Sequence, residues 1–317
     1  MTQPELRPVF VGGCPRSGTR HLGAILGAHP QCVCVPESSF KTAVLAGAPA
    51  SAGPRELVGS FLEDLEFQRW GLDAGLLRKE LETVDLTYPQ ALVHLVSRYG
   101  ESIDRRRPRV WIDHTPSNVH SAVTLSEMFP AARFLHIVRD GRGVAASVLR
   151  LSWGPNTIER AAHWWAEELG FGLALESWDR ARVMRVRYED LVTRPEQVVP
   201  SIADFCGLEF DPAMLRADGI PPPRDPRRHR PSLLGRPSEP SRATAWERTL
   251  SARQIEIFES IAADLLGYLG YPLRLGSRAR PTSRTERIRF ALYEAYRTRL
   301  RNPPQHRRER LARARGG

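Results

Sequence analysis

The segment Cys14-Pro15-Arg16-Ser17-Gly18-Thr19-Arg20 has the composition of an anion-binding turn. An apolar run over Pro8 to Gly13 precedes it, and apolar residues at helical spacing follow it. Between a strand and a helix, the backbone N–H groups of such a turn point at a bound phosphate or sulfate. Arg16 adds a guanidinium that can fork onto two anion oxygens and stays charged at neutral pH. The segment therefore predicts a phosphate-binding loop.

This loop differs from the loop of ATP-binding proteins. Gly13 and Gly18 have the expected spacing, but Thr19 and Arg20 stand where Lys followed by Ser or Thr would be needed. The lysine that binds ATP phosphates and the hydroxyl that holds magnesium are both out of place. We therefore expect a nucleotide site without a metal, and a P-loop kinase or NTPase is the first alternative.

A second phosphate-binding pattern occurs further along the chain. In Phe134-Leu-His-Ile-Val-Arg-Asp-Gly-Arg-Gly-Val-Ala-Ala-Ser147, Arg139 ends a predicted strand and Ser147 lies eight residues later on the following helix. Arg139 can supply a fork of charged donors and Ser147 a neutral hydroxyl donor. Taken alone, the same pattern fits an ion pair between Arg139 and Asp140.

Together these motifs resemble the sulfotransferases that use 3′-phosphoadenylyl sulfate (PAPS). Pro15-Arg16-Ser17-Gly18-Thr19 resembles their 5′-phosphosulfate loop, and the longer phrase through Ala28-His29-Pro30 to Glu37 resembles the tyrosylprotein and bacterial branch. The segment from Val186 to Leu191 resembles the family's Tyr-Glu-Asp element. The resemblance covers roughly residues 9 to 210, with a loose match to 269. It implies transfer of a sulfuryl group from PAPS to a hydroxyl or amine.

The resemblance also implies roles for individual residues. The nucleotide-binding residues it indicates come from the loop, the second pattern and the Tyr-Glu-Asp element: Arg16, Ser17, Gly18, Thr19, Arg20, Arg139, Ser147 and Tyr188. Arg139 and Ser147 would hold the 3′-phosphate, and Arg16 would receive the charge that grows on the leaving phosphate oxygen.

Two residues compete for the role of the base that deprotonates the acceptor. Glu37 follows the second predicted strand and matches the glutamate that the tyrosylprotein branch uses as base. His114 follows the third strand, in a segment where the bacterial branch often has lysine. His114 could act as the base or donate to the leaving oxygen, so both residues are predicted as catalytic together with Arg16.

The elements that position these residues are short strands alternating with longer helices. Strands are predicted at Pro8 to Gly13, Cys32 to Val35, Arg109 to Asp113, Arg133 to Val138 and Val183 to Val186. This alternation predicts an α/β fold of the P-loop type, a single domain with a central parallel sheet of about five strands flanked by helices.

Two further regions complete the predicted organisation. A sulfotransferase domain over 1–275 carries a helical insert at about 40–108 and a proline- and arginine-rich lid loop at about 219–241. Residues 276–317 form a basic tail, an amphipathic helix from Thr285 to Arg301 followed by disordered residues.

Charge is concentrated in that tail. Residues 276–317 hold 13 arginines and three acidic residues, which is +10, whereas residues 1–275 balance 33 basic against 33 acidic residues. A neutral body with a basic tail argues against specific nucleic-acid binding, although peripheral membrane contact through the tail is possible. A basic-tailed nucleic-acid or membrane adaptor is the second alternative.

The composition of the chain indicates its location and the state of its cysteines. No apolar run of 18 or more residues exists, the first residues lack the apolar core of a signal peptide, and the four cysteines show no disulfide or zinc spacing. We therefore expect a cytoplasmic protein with reduced thiols. The acceptor, whether small molecule, carbohydrate, lipid or peptide, is not encoded in any motif, and neither is the oligomeric state.

Overall fold

The structure is a computed structural model that describes residues 6–49, 51–105, 107–221 and 239–301. Contacts between α-carbons divide these residues into two compact units. The first contains the described residues up to Ile137 and those from Gly172 to 221, and the second contains Val138–Phe171 and residues 239–301. Most of the lid loop predicted at 219–241 and the last part of the basic tail lie outside the described residues.

A five-stranded parallel sheet has the strand order β2-β3-β1-β4-β5. The strands are β1 (Arg7–Gly12), β2 (Cys32–Val35), β3 (Val110–Asp113), β4 (Arg133–Val138) and β5 (Val183–Arg187). The order places β2 and β3 on one side of β1, and β4 and β5 on the other. In open parallel sheets ligands bind beyond the carboxyl ends of the strands where the order reverses, which here is the end of β1. The predicted fold class is confirmed.

Burial explains why these short segments form strands. β2 and β3 are buried along their whole length, as continuous apolar runs in a parallel sheet must be when helices cover both faces. On one face, Phe10 of β1 packs against Trp111, Phe129 and Phe134, with ring centroids 5.5 to 5.9 Å apart. The four cysteines are buried, and the described residues contain no disulfide.

Helices of the first unit surround the sheet. Helix α1 (Thr19–Gly27) follows β1, and the predicted insert contains α2 (Phe40–Gly47), α3 (Pro54–Phe61), α4 (Leu65–Gln68), α5 (Ala74–Glu82) and α6 (Tyr88–Ser102). Phe40 packs on Phe61 at 4.5 Å and on Trp70 at 5.8 Å between ring centroids. These aromatic residues belong to the same hydrophobic cluster as Phe10 and Trp111, so the insert shares one core with the sheet.

One predicted helix of the first unit is wrong in its extent. The sequence pattern from Ser117 to Phe129 predicts one helix, but the structure has a 3₁₀ turn at Pro116–Val119 before the shorter helix α7 (Ala122–Met128). The turn is fixed by the Asn118 side chain, which donates to the carbonyls of Val11 and Asp113. Tertiary hydrogen bonds thus override the helical pattern. Helices α10 (Tyr188–Thr193) and α11 (Pro195–Phe205) follow β5.

The second unit is helical. It includes α8 (Gly141–Val148), the part of α9 (Ile158–Trp178) up to Phe171, α12 (Trp246–Thr249), α13 (Ala252–Tyr268) and α14 (Arg284–Tyr296). The pattern from Trp246 to Leu269 predicts one helix, but the chain breaks it at Leu250, because Ser251 and Gln254 form a capping box that starts α13 anew. The predicted helix in the basic tail is present as α14, followed by a π turn at Arg297–Arg301. Among the described helices none is long and apolar enough to cross a membrane.

Candidate active site

The loop after β1 alternates left-handed and ordinary backbone conformations. The φ angle is 142° at Gly13, 77° at Arg16 and 107° at Gly18. A side chain at Gly13 would lie 2.4 Å from the carbonyl oxygen of Ile137, so this position requires glycine. Arg16 has a Cβ and still adopts the left-handed conformation, which costs free energy and is retained mainly where function requires the geometry. The exposed Arg16 side chain is thereby presented on the surface of the loop.

The loop leaves polar groups open where an anion would bind. Ser17 is 1% exposed, and its hydroxyl has no hydrogen-bond partner among the described residues. Gly18 is the N-cap of α1 and provides no side-chain cap, so the first N–H groups of that helix are uncapped. A buried hydroxyl without a partner is unfavourable by itself, whereas a bound phosphate oxygen would satisfy it. The predicted loop residues therefore have the geometry that an anion cradle would need.

Two neighbouring segments hold this loop in place. The Gly13 N–H donates to the carbonyl of Pro116 over 3.0 Å, which ties the loop to the turn after β3. The ring of Tyr188 packs directly on Gly18, because a Cβ there would lie 2.6 Å from Tyr188 Cδ2. Tyr188 is buried and begins α10 immediately after β5. The structure thus places Tyr188 beside the phosphate loop.

Glu37 follows β2 directly and is half-buried. Burial raises the pKa of its carboxyl group, and the nearby Glu66 carboxylate raises it further, against the opposing charges of Arg69 and Arg20. No described residue donates a hydrogen bond to the Glu37 carboxylate, whereas its backbone carbonyl accepts from Trp70 Nε1 over 3.5 Å. A carboxylate with a raised pKa and open lone pairs is suited to accept a proton.

His114 follows β3 and is 3% exposed. Neither ring nitrogen has a hydrogen-bond partner among the described residues. Burial lowers the pKa of His114 to about 4, because desolvation and the nearby Arg20 charge outweigh the attraction of Asp113. Its ring also packs on Gly23 of α1, where a Cβ would lie 2.8 Å from His114 Cβ. At neutral pH this side chain is an uncharged imidazole enclosed by protein.

A buried ion cluster joins the segments that carry Glu37 and His114. We call it the Lys41 cluster; its members are Ser38, Lys41, Asp113, Thr115 and Asn118. Lys41 Nζ lies 3.1 Å from Asp113 Oδ2 and donates to Asn118 Oδ1 over 2.7 Å. The Ser38 hydroxyl also donates to Asp113, and the Ser38 N–H donates to Thr115 Oγ1 over 2.8 Å. Since Ser38 follows Glu37 and Thr115 follows His114, the cluster fixes both candidate catalytic residues from behind.

Electrostatic coupling connects the same residues to the phosphate loop. The exposed Arg20, on the first turn of α1, is close enough to Glu37 and His114 for its charge to lower the pKa of both. Within the first unit, the structure therefore brings together the phosphate loop with Arg20, Glu37, His114 and Tyr188.

In the second unit, Arg139 and Ser147 share one side of α8. The Arg139 guanidinium folds over Gly143, where an added Cβ would lie 3.1 Å from Arg139 Nε, and it donates to the carbonyl of Arg242 over 3.4 Å. Ser147 is half-buried and lies four residues after Gly143, on the same helix face. The guanidinium and the hydroxyl are thus arranged on one surface, as a 3′-phosphate site would need.

A second buried ion cluster supports the start of α8. This Arg142 cluster consists of Asp140, Arg142, Trp246 and Glu259. Arg142 donates to both Asp140 oxygens over 3.0 and 2.7 Å and to Glu259 Oε1 over 2.6 Å, while its guanidinium carbon lies 4.0 Å from the Trp246 ring centroid. Both carboxylate oxygens of Asp140, which the sequence offers as an ion-pair partner for Arg139, accept hydrogen bonds from Arg142.

Sequence reasoning missed the supporting residues of both clusters. Lys41 occurs one turn after Glu37, but a lysine early in an apolar helix carries no recognisable motif, and neither does Glu259 in α13. Asp113 was detectable, because an acidic residue at the end of a fully apolar strand needs a buried partner. Trp246 carries no motif that indicated its contact with the Arg142 guanidinium.

Comparison with known proteins agrees with this arrangement of motifs. The sequence pattern described as "Sulfotransferase family" matches residues 8–212, which include the phosphate loop, Glu37, His114, Arg139, Ser147 and Tyr188. The chain belongs to the sulfotransferase family. The expectation of a sulfotransferase-type enzyme is confirmed at the level of the family.

Curated relatives are similar to two thirds or more of this chain. Protein-tyrosine sulfotransferase 2 of Gallus gallus is 29% identical over 242 residues, covering 74% of this chain and 56% of the relative. The protein-tyrosine sulfotransferase of Drosophila melanogaster is 24% identical, covering 67% of this chain and 40% of the relative. The chain therefore spans about half the length of the curated relatives it matches.

Solved structures share the fold. The sulfotransferase domain from the Synechococcus PCC 7002 olefin synthase has a TM-score of 0.60 and 25% identity, covering 86% of this chain and 97% of that domain. The sulfotransferase domain from the curacin biosynthetic pathway has a TM-score of 0.56 and 21% identity over 86% of this chain. The second similarity supports the fold alone.

Proposed function

We propose that this sulfotransferase moves a sulfuryl group from PAPS to a hydroxyl or amine of its acceptor, with Glu37 as the base. The observation that carries the proposal is the open polar geometry of the phosphate loop. Ser17 is buried without a partner, α1 is uncapped, and Arg16 is held in a left-handed conformation. Family membership supports PAPS as the donor that these groups bind.

Different residues of the chain would bind different parts of PAPS. The loop N–H groups, the Ser17 hydroxyl and Arg16 would bind the 5′-phosphosulfate, while Arg139 and Ser147 would bind the 3′-phosphate. Thr19 and Arg20 extend the cradle onto α1, and the Tyr188 ring beside Gly18 would contact the nucleotide. PAPS supplies the activated sulfuryl group when bound.

The chemistry then depends on positioning and charge stabilisation. Glu37 takes the proton of the acceptor as the acceptor oxygen or nitrogen bonds to sulfur. The bond between sulfur and the bridging phosphate oxygen breaks, and its electron pair leaves with that oxygen. Arg16 and the loop N–H groups stabilise the negative charge that develops there. The raised pKa of Glu37 makes it a stronger base than an exposed carboxylate.

Burial separates the roles of Glu37 and His114. A half-buried carboxylate with open lone pairs can reach an acceptor, whereas His114 is enclosed and has a pKa of about 4. We therefore assign Glu37 as the base and His114 as a neutral residue that contributes to the wall of the site. The proposed site requires no metal ion.

Measurements of nucleotide binding distinguish the proposed sulfotransferase activity from that of a kinase or NTPase. Adenosine 3′,5′-bisphosphate (PAP), the product form of the donor, is expected to raise the melting temperature and to bind with a measurable Kd in calorimetry. ATP with Mg²⁺ is expected to do neither at the same concentration. Stabilisation by ATP with Mg²⁺ and not by PAP would refute the proposed donor.

A sulfuryl-transfer assay tests the assignment of Glu37 as the base. With radiolabelled PAPS, Glu37→Gln is expected to lower the rate of transfer about 10²- to 10⁴-fold while leaving PAP affinity unchanged. Glu63→Gln, at an exposed glutamate that pairs with Arg78, is the matched control and should transfer at the wild-type rate. A Glu37→Gln enzyme with wild-type turnover would show that another residue is the base.

The names of the curated relatives suggest which acceptors to assay first. Because the curated relatives are named protein-tyrosine sulfotransferases, tyrosine-containing peptides are the first acceptors to assay. Extracts containing small molecules, carbohydrates and lipids are the second, with mass spectrometry used to find products that carry an added sulfate. A cytoplasmic location remains part of the proposal.

A further inference from the structure

Helix α14 is attached to the second unit through one face. Glu286 completes a capping box with Ser283 and forms an ion pair with Arg253, Nη2 to Oε2, at 2.7 Å. Two turns later, Glu294 accepts from the N–H groups of Asn156 and Thr157 over 2.8 and 3.0 Å. Both acidic residues of α14 are therefore used in this attachment.

The opposite face carries apolar and basic residues together. Ile288 is 63% exposed and Leu292, one turn later, is 67% exposed. Arg284, Arg287 and Arg289 lie on the same and adjacent surfaces and are exposed. We call these five residues the outward face of α14. Within the described ranges, none of its three arginines forms an ion pair.

This combination differs from an ordinary exposed helix. Single exposed apolar residues are common on protein surfaces, but Ile288 and Leu292 are aligned at i and i+4 and form a continuous stripe. Ordinary surface helices mix acidic and basic residues, whereas both acids here point inward and the outward face is purely cationic. Leu300, in the π turn that follows, is 78% exposed and extends the apolar surface.

The chemistry of the outward face matches an anionic lipid surface. Arginine side chains can bind lipid phosphates while their stems and the neighbouring Ile288 and Leu292 enter the boundary between headgroups and acyl chains. A duplex nucleic acid would use the charge but leave the apolar stripe exposed, so it fits less well. We propose that the outward face of α14 binds peripherally to a bilayer surface rich in anionic lipids.

Vesicle sedimentation with the full chain tests the proposal. The protein is expected to sediment with vesicles of phosphatidylcholine and phosphatidylglycerol, to bind vesicles of phosphatidylcholine alone much more weakly, and to be released by added salt. Equal binding to both vesicle types, or no binding to either, would overturn the proposal. The test requires no transfer activity, so it is independent of the proposed function.

Two double variants locate the surface. Ile288→Gln with Leu292→Gln, and separately Arg284→Gln with Arg287→Gln, are each expected to weaken partition into anionic vesicles roughly tenfold or more. Glutamine keeps good helix propensity, and a cation in the first helical turn opposes the helix dipole, so replacing Arg284 does not weaken α14. Unchanged circular dichroism should accompany the loss of binding.

Matched controls exclude a general effect of surface polarity. Leu65 and Leu76 are 66% and 47% exposed on the helices of the insert, and Leu65→Gln with Leu76→Gln should leave vesicle binding unchanged. Binding of the outward-face variants at the wild-type level would overturn the proposal. A duplex DNA of random sequence is assayed in parallel. If the arginine variant lost DNA binding while the wild type ignored vesicles, the surface would be a nucleic-acid contact and the proposal would be wrong.

Discussion

The two buried ion clusters belong to different units and differ in redundancy. In the Lys41 cluster, one cation and one carboxylate, Lys41 and Asp113, are surrounded by neutral hydroxyl and amide groups. In the Arg142 cluster, one guanidinium lies between two carboxylates, and Glu259 also accepts N–H groups from Arg274 and Leu275 over 3.0 and 2.8 Å. Loss of one partner therefore leaves Glu259 with others, whereas it leaves Lys41 or Asp113 without a counter-ion.

The different number of partners in the two clusters indicates how firmly each cluster holds the segments around it. The segments that carry Glu37 and His114 depend on a single buried pair, so their geometry is fixed by an all-or-none contact. The start of α8, next to Arg139, depends on several shared contacts and should tolerate the loss of one. The comparison predicts that single substitutions have larger effects in the first cluster than in the second.

The largest effect is expected for Lys41→Met. It leaves the Asp113 carboxylate buried without its cation, which costs about 3–5 kcal/mol in the free energy of unfolding. Urea denaturation measures this loss, and Lys79→Met, at an exposed lysine, is the matched control and should change stability by less than about 0.5 kcal/mol. A Lys41→Met protein as stable as the control would show that the pair contributes no net stabilisation.

Features were predictable from the sequence where a chemically specific residue type occurs within a recognisable strand or helix pattern. The phosphate loop and the Arg139–Ser147 spacing each combine a backbone signal with a residue type, and the alternation of short apolar runs with helical patterns indicated the parallel sheet. β2 and β4 begin and end where the sequence predicted them, because apolar runs bounded by turn residues define buried strands.

Long-range contacts were not predictable. Lys41 meets Asp113 across 72 positions of the chain, and Arg142 meets Glu259 across 117. No local pattern encodes such pairs, and the same holds for the 3₁₀ turn after Thr115, which depends on the tertiary hydrogen bond from Asn118 to Val11. The sequence predicted that the tail helix is amphipathic. Which face of α14 is exposed could not be predicted, because it depends on the contacts of Glu286 with Arg253 and of Glu294 with Asn156.

Acid titration provides the second-largest effect. Burial alone would raise the pKa of Asp113, but the Lys41 charge and the hydrogen bonds from Ser38 and Thr115 outweigh it and lower the pKa to about 2 from an ordinary 3.8. Because the folded-state pKa is lower, this stabilisation is complete above about pH 4 and is lost as the pH falls through 2. It amounts to roughly 2 to 3 kcal/mol. Denaturation between pH 5 and pH 2 measures it.

The control for this titration removes both charges. Lys41→Met with Asp113→Asn lacks the titrating carboxylate, so its free energy of unfolding should fall less steeply with decreasing pH than that of the wild type. Other carboxylates, such as Glu176 with its pKa lowered to about 2, contribute equally to both proteins and cancel. Parallel pH profiles for the two proteins would mean that Asp113 is not stabilised as an anion by the cluster.

Arg139→Ala is expected to weaken PAP binding about thirtyfold, or about 2 kcal/mol, while leaving the free energy of unfolding nearly unchanged. The guanidinium lies over Gly143 on the side of α8 that carries Ser147, so its removal should weaken ligand binding much more than it destabilises the fold. Calorimetric titration with PAP measures the affinity, and Arg150→Ala, at an exposed arginine just after α8, is the control. Equal affinity for PAP in both variants would remove Arg139 from the predicted 3′-phosphate site.

Glu259→Gln is expected to have the smallest effect and tests the redundancy of the Arg142 cluster directly. Glutamine keeps the size of the side chain and one carbonyl acceptor for the backbone N–H groups of Arg274 and Leu275, while Arg142 keeps both oxygens of Asp140. We therefore expect a loss of about 1 kcal/mol in the free energy of unfolding and a PAP affinity within about threefold of the wild type. Asp113→Asn is the matched change in the Lys41 cluster, and its loss should be clearly greater. If Glu259→Gln proved as damaging as Asp113→Asn, the contacts that surround Glu259 would not compensate for its lost charge, and the start of α8 would depend on one ion pair just as the segments behind Glu37 do.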